Sequence, residues 1–140
     1  MAKATYDDAN LLLRLYEIRR EEKLRAARSW FVANFKAKTM AEWNAICGPG
    51  TDANPLFRQA TSYWDMVASF VASGVLNEEL LFQSTRELLL FWLRLKPIAN
   101  EARAALKDPH AWKNLETVGE SFAKYLGPET LAAFAARIGA

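Results

Sequence analysis

Few side chains in this 140-residue chain are of the types that do chemistry, and there is one histidine, His110, and one cysteine, Cys47. A zinc centre needs several Cys or His ligands, and a di-iron bundle uses two Glu-x-x-His pairs with further glutamates. The residue three before His110 is Lys107, so that motif is missing. Glu17 and Glu21, and Glu116 and Glu120, are each about one turn apart, and they read as solvated helix faces rather than as a carboxylate metal site. Cys47 precedes Gly48-Pro49-Gly50 at the end of a short helix. That end of the helix dipole disfavours a thiolate, which argues against an activated nucleophile. His110 follows Asp108-Pro109 with no partnered nucleophile in view, and no Gly-Lys-Ser/Thr follows the Gly-Pro-Gly loop to make a phosphate cradle. We therefore assign no catalytic residue, no metal ligand and no cofactor, and expect a non-enzymatic protein.

Asp65 is the most informative polar residue. It stands between Trp64 and Met66 in an aromatic helix, with Thr61 and Ser69 one turn to either side. That face is either wet, or Asp65 is buried and paired with Arg86, Arg19 or Arg20, since an unpaired buried carboxylate would neutralise itself. Trp30, Trp64, Trp92 and Trp112, together with Asp65, form a candidate pocket for an apolar or aromatic ligand. The competing reading is that the tryptophans are core.

These residues must be positioned by helices. Tyr63, Val67 and Phe70 lie at helical spacing, and Trp64, Val67 and Val71 make an overlapping stripe. Together they cover more than the roughly 100° of a surface helix, so this helix is central. Gly74 can take the left-handed conformation that ends it. Asn77 can cap the next helix, whose row Leu81, Leu88, Trp92 and Leu95 completes a central hydrophobic pair. Pro97 predicts a kink or break near Lys96.

Thr5 to Asp8 has capping-box spacing and opens a helix expected to run unbroken to about Phe35, on the order of 45 Å at 1.5 Å per residue. Thr39 to Glu42 opens a short helix ending at Cys47. Asn54-Pro55 reads as cap plus first-turn proline, as does Asp108-Pro109, which predicts a helix from about His110 to Tyr125. A last short helix carries Leu131, Phe134 and Ile138. No stretch shows strand alternation. The fold class is all-α, one domain over residues 1–140, a bundle of five to seven helices.

Bulk properties agree. Hydrophobic residues make up 51% of the chain, with five tryptophans and eight phenylalanines, enough for a core without disulfides. A net charge of +2, with basic and acidic residues interleaved, does not suggest a nucleic-acid partner. The most apolar run, Leu88 to Leu95, is far short of the ~20 residues of a membrane span. With a single cysteine and no signal-peptide core, a soluble cytoplasmic protein is expected.

The run YWDMVASFVASGVLNEELLF, followed by LLLFWLRLKPIANEAR, resembles a group of bacterial helical proteins classed as a domain of unknown function. The matching positions are Tyr63, Trp64, Gly74, Val75, Glu78, Glu79, Leu80, Phe82, Trp92 and Pro97, and LLLRLYEIRREEKLRAARSWF adds to the likeness. The resemblance covers about residues 10–120. It implies no activity and no site residues. Some of the group begin with a membrane-spanning helix, which this chain does not.

Two functions follow as expectations. The first is a self-associating interaction or scaffold module: the long first helix outreaches the rest of the domain, so its apolar ends need a partner. A C2 homodimer pairing through Leu12, Leu15, Tyr16, Arg19, Arg20 and Lys23 would cover them, and an unknown protein could take the same place. The alternative is a small-molecule binding bundle.

Overall fold

Leu15 and Leu24 are nine residues apart, which on one continuous helix sets them on roughly opposite faces, about 180° around the axis. Both are buried. The computed structural model, which describes residues 2–140, shows how: the expected long helix is two helices, α1 (Tyr6–Arg19) and α2 (Glu22–Asn34), so each can turn its own apolar face inward. The break falls in the charged stretch. Glu21 leaves the helical region and its carboxylate accepts from Lys23 and Leu24 N–H, starting α2 (3.1 and 3.0 Å). Those two donors also hold the Glu21 carboxyl below its usual 4.5. The overlong helix that argued for a dimer is therefore absent.

Among the described residues there are eight helices and no strand, one more helix than the upper expected count. α3 spans Met40–Cys47, α4 Asn54–Ala72, α5 Glu78–Ser84, α6 Glu87–Leu106, α7 Lys113–Leu126 and α8 Pro128–Ile138. The capping box at Thr5 forms in full, with Thr5 N–H donating to Asp8 at 2.8 Å and Asp8 N–H to the Thr5 hydroxyl at 3.2 Å. Thr39 caps Glu42 N–H at 3.1 Å. At the corner after α4, Gly74 is left-handed (φ 81°) and Asn77 caps Leu80 N–H at 2.9 Å, both as expected.

Other boundaries differ from expectation. The helix after the corner does not run from Asn77 to Leu95 but breaks at Thr85, whose hydroxyl accepts Glu87 N–H (3.1 Å), while the Ser84 hydroxyl donates to Leu81 C=O (2.8 Å). Such local bonds offer the backbone an alternative to the helix. α6, conversely, continues through Pro97 without a break. Pro97 is exposed and Leu93 only half-buried, so the carbonyl that Pro97 leaves without a donor is near water, while Leu95, Ile98 and Ala99 are held in the core. Asn54 lies inside α4 rather than capping it, and its amide donates to Cys47 C=O (2.8 Å). α7 starts at Lys113, three residues later than expected, because residues 108–112 form a turn in which Trp112 is left-handed (φ 56°).

α4 and α6 carry the most buried residues; α4 packs chiefly against α2 and α7 and more lightly against α6, which packs on α7. Phe31 of α2 stacks on Phe91 of α6 with ring centroids 3.9 Å apart, and Phe35 and Phe57 extend the stack. A second aromatic group joins Phe82 to Phe122 at 4.0 Å. Trp92 is buried against α7, where Gly119 leaves room for the indole. A Cβ built on Gly119 would lie 2.4 Å from Trp92 Cδ1.

Alanine at an exposed mid-helix position would stabilise over glycine by about 1 kcal/mol. At Gly119 the clash reverses the sign. Gly119→Ala should destabilise by roughly 1–3 kcal/mol, the usual cost of overpacking, as read by urea unfolding. A stabilised variant would mean that Trp92 does not lie on α7.

Candidate functional site

A groove of about 500 Å³ opens between α1, α4 and α5. Its floor is Tyr63, Trp64 and Val67 on α4, and its walls are Leu12 and Leu15 of α1 and Leu81 of α5. The local sequence explains the assembly. Leu12 and Leu15 are one turn apart on the inner face of α1. The Tyr63 hydroxyl donates to Leu15 C=O at 2.7 Å and ties α1 to the floor. Burial, above all, pushes the Tyr63 phenol up to about 12, so it stays a donor at physiological pH. Asp8 fixes the far end, accepting Asn77 N–H at 2.8 Å, and its two backbone donors, Thr5 first and Asn77 second, hold its carboxyl below 3.8.

Polar groups collect at the other end of this groove. Arg19 lies over the Tyr16 ring (4.9 Å to the centroid) and the Trp64 ring (5.8 Å), and its Nη1 donates to the Thr85 hydroxyl at 3.3 Å. Arg20 covers Tyr16 from 5.4 Å. The residues expected to form a self-association face thus part company. Leu12, Leu15, Tyr16 and Arg19 line a concave groove, while Arg20 and Lys23 are exposed outside it.

The expected tryptophan pocket does not form as one cavity. Trp64 floors the groove just described, and its indole N–H donates to Glu87 at 2.9 Å. Trp92 is core, with its N–H on Glu120 at 2.7 Å. Trp30 is half-buried on α2 and lines neither opening described here. Trp112 and Asp65 belong to a different, wider cleft of about 920 Å³, with Trp43, Arg58, Asp108 and the exposed His110. Trp43, on the short helix after Thr39, was not among the residues expected to line a pocket, although Trp43 and Trp112 both pack edge-on to Phe57 (5.8 and 6.2 Å).

Asp65 is half-buried and pairs with none of Arg86, Arg19 or Arg20. Its Oδ1 accepts Leu115 N–H at 3.2 Å. Leu115 is the third residue of α7, and Trp112, which occupies the cap position, has no side-chain acceptor. Asp65 therefore caps α7 from a neighbouring helix. Burial raises its pKa above 3.8, and the Leu115 bond only partly offsets this. Cys47 is buried, which raises its thiol to about 11. No group of three His, Cys, Asp or Glu side chains among the described residues is placed to hold a metal ion. No helix among them is long and apolar enough to cross a membrane.

Residues 4–122 match the family described as a domain of unknown function, DUF4760, and the chain belongs to that family. No curated protein and no solved structure matches it.

The cap assigned to Asp65 has a definite pH signature. A folded pKa above the unfolded value means a contribution that is full below 3.8 and is lost as pH rises through the folded pKa. Asparagine caps as well as aspartate and does not ionise. Asp65→Asn should therefore gain on the wild type in melting temperature between acid and neutral pH, while Asp65→Ala should lose about 1 kcal/mol at acid pH, a deficit that narrows toward neutral pH as the wild type ionises. Equal melting of the alanine variant and the wild type at acid pH would remove the cap.

Proposed function

We propose that this DUF4760 domain is a non-enzymatic binding module that holds an apolar small molecule in the groove between α1, α4 and α5. One observation carries the reading: the groove's about 500 Å³ of space has an almost wholly apolar lining beside a small polar end. Ligand pockets commonly span about 300–1,000 Å³ and combine apolar walls with few polar groups. The lining includes no carboxylate, imidazole or thiol among the described residues, which suits binding more than turnover. The cleft at Asp65 is wider and more open, and its carboxylate is already engaged as a helix cap.

Self-association is the second reading, and the rim of the same groove favours it. Leu13 and Tyr16 are 60% and 45% exposed on α1, a face that a second copy could cover in a C2 dimer. A cytoplasmic setting fits both readings, since Cys47 has no intrachain partner.

Titration with pyrene, a neutral apolar fluorophore, separates these readings when followed by fluorescence and native mass spectrometry. Pyrene should bind one to a chain, and Ala9→Trp, which places a large ring at the groove wall, should abolish binding while leaving the helical circular dichroism unchanged. A protein that binds no pyrene and runs as a dimer disrupted by Tyr16→Glu would replace the ligand reading with the second one.

A further inference from the structure

Arg19 stands out among the charged groups around the groove. Arg28 and Glu87 form a two-pronged ion pair nearby, Arg28 Nε and Nη2 reaching the two Glu87 oxygens. The Glu87 carboxylate also accepts the Trp64 indole N–H, so three donors already occupy it. Arg19 has no carboxylate within 4.0 Å among the described residues, and a single hydrogen bond, to Thr85, occupies one of its five N–H donors. Arg28 thus holds Glu87, and Arg19 is left with no ion pair of its own among the described residues. The guanidinium is held by the Tyr16 and Trp64 rings rather than left loose in solvent, and it is half-buried. Cation–π contact fixes its plane without using its donors, which leaves the fork free for an oxyanion.

The rest of the groove has the opposite character. From Arg19 and the hydroxyls of Ser84 and Thr85 the lining passes directly to Leu12, Leu15, Val67 and Leu81. A ligand matched to this surface has one anionic end and an uncharged apolar body.

We propose that the ligand of the groove is an amphipathic monocarboxylate, a free acid with an aliphatic or aromatic body, whose carboxylate is received by the unpaired Arg19 guanidinium beside Thr85. This rests on the groove being a ligand site. Arg19→Lys would keep the charge but lose the planar fork, so it should bind less well than the wild type.

The test compares decanoate with decanol, which share a chain and differ at the head, by displacement of pyrene from the full chain below the micellar range. Decanoate should be effective at roughly tenfold lower concentration than decanol or less, the scale of a charge-assisted hydrogen bond. Arg19→Gln should bring the two to parity while pyrene itself still binds, and added salt should weaken decanoate alone. Equal potency of the two in the wild type, or a preference that survives in Arg19→Gln, overturns the carboxylate assignment and leaves the apolar groove standing. Failure of pyrene and of both displacers to bind overturns the groove as well.

Discussion

The Arg28–Glu87 pair is the interaction on which the arrangement of helices most depends. It joins four helices, α1 and α6 at their ends and α2 and α4 in their middles. Arg28, on α2, donates Nη1 to Arg19 C=O at the end of α1 (2.9 Å) and its other nitrogens to Glu87 in the first turn of α6. Glu87 then accepts the indole N–H of Trp64 from α4. A carbonyl at a helix C-terminus attracts a cation and the start of a helix attracts an anion, so both charges sit where the backbone favours them. The two side chains are only 17% and 19% exposed, so their desolvation is substantial. Pairs of this kind often add little net stability over an apolar alternative, but breaking one leaves a half-buried charge without a partner. The pair therefore constrains geometry: with it in place, α1 and α2 cannot straighten into one rod.

The same device recurs without a carboxylate at Arg94. This buried guanidinium donates to Val32 and Phe35 C=O at the end of α2 (3.0 and 2.9 Å) and to Ile138 C=O at the end of α8 (2.8 Å). Two helix C-termini supply the negative potential that a carboxylate would otherwise supply. Burial lowers its pKa, and Nε has no partner, yet an arginine stays charged in such a site. Arg103 repeats the pattern, with Nε on Ala111 C=O at 2.8 Å and Nη2 3.0 Å from Glu116, off the direction of a hydrogen bond. Polar tethers of this type let a small bundle with many short helices hold its ends together.

Helix class and most helix starts were legible because they are local. Thr5, Thr39 and Asn77 each cap through a residue three positions on, and Gly74 needs only its own backbone freedom. The α1–α2 break was missed: the opposed phases of Leu15 and Leu24 carried the signal, but no proline or glycine between them marked it. The continuity of α6 through Pro97 was not legible, because it depends on which side of the helix meets water. The role of Asp65 was also out of reach. Its partner is the Leu115 N–H, a backbone group fifty positions away that carries no side-chain signature. The groove residues Leu12, Leu15, Tyr16 and Arg19 were singled out for a different reason, a helix thought too long to cover, and the bend turned a convex stripe into a concave surface.

That bend is what connects fold to proposed function. A straight first helix would present Leu12 and Tyr16 outward as a ridge, and ridges associate with grooves of other chains. Bent at Arg20 and Glu21 and pinned by Arg28, α1 instead lies over Tyr63 and Trp64 and encloses space between itself and α4. The pin also engages Glu87, and Arg19 is left without a carboxylate within 4.0 Å among the described residues. Enclosed apolar volume and unpaired charge thus have a common cause. A core packed for stability alone would close such a space, because unfilled volume forfeits dispersion contacts, and it would neutralise the arginine with an acid. A ligand that fills the volume and carries its own carboxylate meets both deficits at once, so the domain would be more stable with ligand bound than without it.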